Sequence, residues 1–322
     1  MLYRSNFLVA LFSCACLLPA NAQTLVTDIT VPGTPYGIAV NPTSNRIYVA
    51  IPSTSTGPAV SVIDGSTNTV IDNISTPQGA SQIAVNIATG RVYVAGCNNT
   101  GQACSITVIN GTTDQVILNI PVNGSGGIGV QGIAVNPVTN KIFVSDDENY
   151  ELEVIDGVTS NSTYVNTGKA EMLGLAVDFG TNQILGAPSG GALDIFNGST
   201  YAETQVRVGT INQDVAVNSF TSIAYVTDNE GGTLGVVNLR NLKVSNIEVG
   251  SSPFGVCVDY LSNLIFVAVE GNGTVVAIDG ATNRMIGSVN APSNNLDVNP
   301  ATRTVYASST VPGQNAVHVI SE

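Results

Sequence analysis

One five-residue phrase recurs seven times along the chain: GIAVN at Gly37, QIAVN at Gln82, GIAVN at Gly132, GLAVD at Gly174, DVAVN at Asp214, GVCVD at Gly255 and NLDVN at Asn295. Counted from the first aliphatic residue of each copy (Ile38, Ile83, Ile133, Leu175, Val215, Val256, Leu296), the steps are 45, 50, 42, 40, 41 and 40 residues. A unit this short cannot bury a core by itself. It must stack against its neighbours, so the period constrains the fold more tightly than any composition does.

Each copy continues in the same way. The apolar IAVN strand runs into a turn such as NPTSNR or NPVTNK, where Asn and Pro favour turn initiation, and then into a second strand such as RIYVA, RVYVA or KIFVS. A loop of variable length leads to a third strand, VSVID, ITVIN, LEVID, LDIFN, LGVVN or VVAID. Asp64-Gly65, Asn110-Gly111 and Asp279-Gly280 follow as hairpin-turn chemistry. A more polar fourth strand such as KVSNIEV completes the unit. Four short strands per period predict an all-β, seven-bladed β-propeller with four antiparallel strands per blade. The first three strands read as apolar runs, as sheets covered on both faces require.

The termini carry a closure signal. The last unit stops after its third strand, AVHVI, Ala316 to Ile320, while VTDITVPGTPYGI from Val26 aligns without a gap on VSNIEVGSSPFGV from Val244, a fourth strand leading into the next blade. Thr24 to Val31 is therefore expected to pair with the last three strands and close the ring.

The strand pairs of the form AVN, polar turn, YVA or YVT, then SVID, resemble the repeats of the YVTN family of β-propellers, and the likeness covers essentially the whole chain after its first residues. Blade 4 departs from the pattern with ILGA at Ile184 to Ala187, and blade 7 carries Asp297 inside its innermost strand. What the resemblance implies about function is limited: many members are exported or surface proteins whose role is binding or is unknown, and propellers host unrelated functions.

The opening MLYRSNFLVALFSCACLLPANAQ pairs Arg4 with an apolar run from Phe7 to Leu18 and ends in Ala20-Asn21-Ala22. That reads as a secretory signal peptide over residues 1–22, leaving 23–322 as the propeller. The run is shorter than the roughly 20 residues of a membrane span. Phe12 in LFSC fits a lipid-anchor signal poorly, and no later segment is apolar enough to span. The expectation is an exported protein, periplasmic or extracellular. In that setting Cys97 and Cys104, flanking NNTGQA, read as a local disulfide. A zinc site would need further ligands from a chain with one histidine. Cys257, at an Ala position of the repeat, reads as a buried small hydrophobe.

Only 10% of residues are charged and the formal net charge is −13, with basic residues scattered singly, so no basic stripe offers itself to a phosphate backbone. Nucleic acid is not an expected partner. Loops joining the second strand to the third, and the fourth to the next blade, share one face, and the long ones lie there: Ile51 to Ala59, Gly96 to Cys104, Asp146 to Glu151 and Val122 to Gln131. Variable loops on a rigid scaffold favour that face as the functional one. At its channel mouth the expected ring is Tyr36, Gln82, Gln131, Met172 with Leu173, Gln213, Asp214, Phe254 and Asn294, fit for a polar small molecule or a peptide segment. Tyr36 and Phe254 have an alternative reading as packing partners of Pro35 and Pro253.

The acidic run Asp146, Asp147, Glu148, with Glu151 and Glu153 behind it, matches no calcium-loop spacing, and acidic loop tips are commonly solvated. The SGG segments at Ser125 and Ser189 follow no strand into a helix, so no phosphate cradle is indicated. No cofactor motif is present. Lactonase or lyase chemistry would need a base or metal at the mouth, and there the sequence offers Asp214 but no His, Lys or Arg. His318 lies in a third strand, away from the channel. The favoured reading is a non-catalytic binding module for a protein segment or polar ligand. The alternatives are a propeller enzyme, with a carboxylate of raised pKa in a deep pocket, and a structural or adhesive surface protein with a shallow mouth and flat polar faces.

Overall fold

β-Branched and aromatic residues between Asn-rich turns form twenty-eight strands among the described residues, gathered into seven four-stranded antiparallel sheets. The computed structural model describes residues 23–52, 59–77, 79–97, 103–122, 130–146, 150–168 and 171–322. The proposed signal peptide lies outside the described residues, as do 53–58, 98–102, 123–129 and 147–149 of the long loops. Six sheets are built from four consecutive strands, and each is a blade of the propeller.

The seventh blade combines both ends of the chain. Its order is Thr24–Thr30, Ala316–Ser321, Thr304–Ser309, Ser293–Asn299. In register, Asp28 faces His318 and Ile29 faces Val317. Ile29 and Val31 enter a core cluster with Ile47, Val49, Tyr306 and Val317, so the closing strand is packed as well as paired. His318 is buried, with Nδ1 2.7 Å from Asp28 Oδ1 and Nε2 3.3 Å from the Pro292 carbonyl. The histidine thus fastens the closure of the ring.

Between blades the core is a ring of aromatics from the second strands. Tyr48, Tyr93, Phe143, Tyr225, Phe266 and Tyr306 are each at most 1% exposed, and each packs against the neighbouring blade. Burial of such a side chain contributes roughly 1.5 to 3 kcal/mol. Blade 4 has Leu185 in this column, packed with Val215, Ala224 and Val226 of blade 5. Its aromatic, Phe196 on the third strand, faces the other way into the core shared with blade 3, where Met172 covers Gly186.

The repeated Asn at the end of each innermost strand has two tasks. Its Oδ1 accepts N–H groups of its own turn, as Asn136 does from Val138 and Thr139. Its Nδ2 donates to an asparagine of the next blade: Asn86 to Asn140 at 2.8 Å, Asn136 to Asn182 at 2.9 Å, Asn218 to Asn263 and Asn299 to Asn45 at 2.7 Å. The accepting asparagines Asn45, Asn140, Asn182 and Asn263 sit at positive φ of 52° to 57°, a conformation Asn tolerates. Gly90 interrupts this chain after blade 1, and Asp178 and Asp259 have no amide to donate.

The Asp-Gly and Asn-Gly pairs do form hairpins, but not by two-residue turns. Residues 65–68 connect Val60–Asp64 to Thr69–Ile74, and the positive φ falls on Asn68 at 53°. Gly65 is needed for space instead: a Cβ there would lie 2.4 Å from Asn45 Oδ1.

Candidate binding site at the channel mouth

The innermost strands approach one another closely where each begins. Aligned on the first aliphatic residue, the column before it reads Gly37, Gln82, Gly132, Gly174, Asp214, Gly255 and Asn295. A Cβ on Gly37 would lie 2.5 Å from the Ser81 carbonyl oxygen, on Gly174 2.7 Å from Asp214 Cα, and on Gly255 2.4 Å from the Asn294 carbonyl oxygen. Glycine therefore sets the blade spacing, and the three exceptions put polar side chains into the ring. Gly132, Asp214 and Asn295 each donate their backbone N–H to a second-strand hydroxyl, Ser145, Thr227 and Ser308.

Inside this ring lies a cavity of about 170 Å³, lined by Tyr36, Gln82, Gln131, Leu173, Gln213, Asp214, Phe254 and Asn295, with Ile38, Ile83, Leu175 and Val256 among its apolar walls. Seven of the nine expected mouth residues meet there. Met172 does not: it is 2% exposed and belongs to the core between blades 3 and 4. Asn294 folds back, its Oδ1 accepting from Ser308 Oγ at 3.0 Å, and Asn295 takes its place. Asn295 was visible in the sequence as a non-glycine exception in the glycine column.

Asp214 is the carboxylate of the cavity. Its Oδ1 accepts the N–H of Val215 at 2.8 Å and its Oδ2 the N–H of Val256, on the next blade, at 3.0 Å. Burial pushes this carboxyl up to about 6, against the opposing pull of those two N–H groups. Tyr36, half-buried, is raised first by its own burial and then by the charges of Asp214 and Glu270. Asp297 repeats the Asp214 arrangement between blades 7 and 1, accepting from Val40 and Val298 at 2.8 Å, with burial again pushing it up to about 6. It lines a separate cavity at the opposite end of the channel. The two carboxylates act as staples between innermost strands.

The other sequence candidates are spread elsewhere. Cys97 and Cys104 form a disulfide between directly opposed positions of adjacent strands, Cα atoms 4.0 Å apart. Cys257 is a free, buried thiol raised well above its ordinary range by burial. Glu153 is not at a loop tip: it is 2% exposed, inside blade 3, and accepts from the Tyr164 hydroxyl at 3.4 Å. Asp147 and Glu148 lie outside the described residues. Among the described residues no group of three or more His, Cys, Asp or Glu side chains converges as metal ligands, and no helix is long and apolar enough to cross a membrane.

No protein-family profile matches the sequence, and no curated protein matches it. Solved structures do. Hydrazine synthase of Kuenenia stuttgartiensis superposes with a TM-score of 0.73 at 16% identity, over 90% of this chain and 96% of that one. The Cps50 (Swd1) β-propeller domain of Myceliophteria thermophila gives a TM-score of 0.75 at 9% identity, over 93% of this chain and 99% of that one. These likenesses establish the fold alone. The chain is a seven-bladed β-propeller.

Proposed function

We propose that the protein is an exported, YVTN-type propeller that binds a polar small molecule or a protein segment at the loop-face channel mouth. One observation carries the reading: the cavity gathers two aromatic rings, three glutamine amides, an asparagine and a carboxylate on a rigid ring of innermost strands. Stacking faces beside amide donors and acceptors suit a flat polar group or a peptide backbone. Export rests on the signal-like first 22 residues and accords with the Cys97–Cys104 bridge.

A propeller enzyme is the second reading, and Asp214 favours it to a degree: a carboxyl raised to about 6 in a pocket is the environment of a general base. Both its oxygens, however, already hold backbone N–H groups of two blades. Binding is the better-supported function.

A thermal-shift screen of residues 23–322 against sugars, lactones, divalent cations and short peptides tests the proposal, repeated with Tyr36→Ala and Phe254→Ala. The expected result is one ligand class that raises the wild-type midpoint and leaves both variants unmoved. Equal shifts in wild type and variants would place binding elsewhere.

A further inference from the structure

The opposite end of the channel, formed by the short turns, is unexpectedly apolar. Turn tips ordinarily carry Gly, Asn, Asp, Ser or Pro. Here Phe220 is 64% exposed, Leu261 66%, Val138 73% and Ile87 42%, all in turns between innermost and second strands. Phe179, Phe220 and Tyr260, from blades 4, 5 and 6, form an aromatic ladder: ring centroids 6.3 Å apart and perpendicular, then 5.6 Å apart and tilted. Tyr260 is also a wall of the turn-face cavity, about 260 Å³, which continues the apolar surface through Pro42, Ile87, Val258 and Pro300. A contiguous exposed apolar patch with a recess in it marks an interaction site more often than a solvated surface.

Charge selects the partner. Of the eight Lys and Arg among the described residues, seven lie at this end: Arg46, Arg91 and Lys141 at the heads of second strands, and Arg240, Lys243, Arg284 and Arg303, all exposed, beside the ladder blades. Only Arg207 ends a strand at the loop face. The turn-end carboxylates of blades 1 to 4, Asp64, Asp114, Asp156, Asp178 and Glu203, offset the cations there, whereas blades 5 to 7 set Arg240, Lys243, Arg284 and Arg303, all exposed, against the part-buried Asp279 and Glu322, the buried Asp259, and Asp297 in the cavity wall. Glu151, Glu171, Glu230, Glu248 and Glu270 lie at the loop face. In a chain of net charge −13, the turn face of blades 5 to 7, with its four exposed cations, is where a carboxylate-bearing partner meets the least repulsion.

We infer that the turn face docks a protein segment bearing an aromatic or aliphatic anchor flanked by Asp and Glu, the anchor entering the cavity beside Tyr260 and the flanks reaching Arg240, Arg284 and Arg303. The recess favours a single inserted side chain over a flat lipid surface. This site is independent of the loop-face mouth.

The test is fluorescence anisotropy of residues 23–322 with labelled short peptides carrying a central Phe or Leu, flanked in one set by Asp and Glu and in the other by Lys and Arg. The acidic set is expected to bind and to weaken with added salt. Binding should fall about tenfold in Phe220→Ser, and likewise in the double variant Arg240→Glu with Arg303→Glu, but not in Tyr36→Ala. Leu261→Ser is a second exposed-tip variant should Phe220→Ser lose its wild-type thermal midpoint. Equal binding of both peptide sets, or of neither, overturns the proposal. So does binding only to phosphatidylglycerol vesicles, which would assign the face to a membrane, or self-association in sedimentation equilibrium abolished by Phe220→Ser, which would assign it to a second copy.

Discussion

Asp214 shows how one residue type can break a repeat for a purpose. Its column is glycine in four blades because the next blade leaves no room for a Cβ, and where Asp intrudes it spans to the backbone of Val256. Gly174→Ala should therefore destabilise by about 1 to 3 kcal/mol, since the added carbon meets Asp214 Oδ1 at 2.6 Å and Asp214 Cα at 2.7 Å, and the side chain is held by two backbone N–H groups while the Cα cannot swing away; denaturant unfolding measures it. Asp194 gives a sharper pH prediction. It is fully buried in blade 4, one oxygen accepts from Gln205 Nε2 at 2.9 Å, and burial, followed by the charge of Glu203, pushes it up to about 7. A carboxyl whose folded-state value is raised holds its proton more tightly when folded, so its contribution is full below about pH 4 and is lost as pH rises through about 7. Asp194→Asn, which mimics the protonated form, should stabilise by on the order of 1 to 3 kcal/mol at pH 8 and scarcely at pH 4. Chemical denaturation at the two pH values checks this, and an equal effect at both would refute it. The burial of Asp194 was not legible beforehand, because in LDIFN it has the same sequence appearance as a solvated strand residue.

At the scale of elements, the closing strand was legible to within a residue, because its pattern matches the other fourth strands and the last unit lacks one. Removing residues 24–31 should cost far more than a frayed terminus would, since it exposes Ala316–Ser321 as an edge, uncovers Ile47 and Val317, and strips His318 of its carboxylate partner. A midpoint unchanged by that deletion would contradict the closure. The Cys97–Cys104 bridge spans one strand pair, and its reduction should cost roughly 2 to 3 kcal/mol. Residues 23–322 should yield one labelled thiol, Cys257, only after unfolding, and three after unfolding with reduction. The hairpin turns were half legible. Asp-Gly announced a turn, but the glycine answers to Asn45 across the blade boundary, a contact no local pattern displays.

Across the whole molecule, the period fixes seven blades and their strand order, and hence which loops share a face. It is silent on how charge distributes between the two ends, because that depends on which end of each strand a residue occupies. Once the strands are placed, Arg240, Arg284 and Arg303 fall on the turn face of blades 5 to 7 with Phe220 and Leu261, while Glu151, Glu171, Glu230, Glu248 and Glu270 fall on the loop face. The strand-end register also decides that Asn295, not Asn294, enters the cavity and that Met172 serves the core. The most direct measurement is a crystal structure of residues 23–322 with whichever compound gives the largest thermal shift. Ligand density within the ring of Tyr36, Gln213, Asp214 and Phe254 is the expected result; density elsewhere on the molecule, with that cavity unchanged, would contradict a binding function at the loop-face mouth.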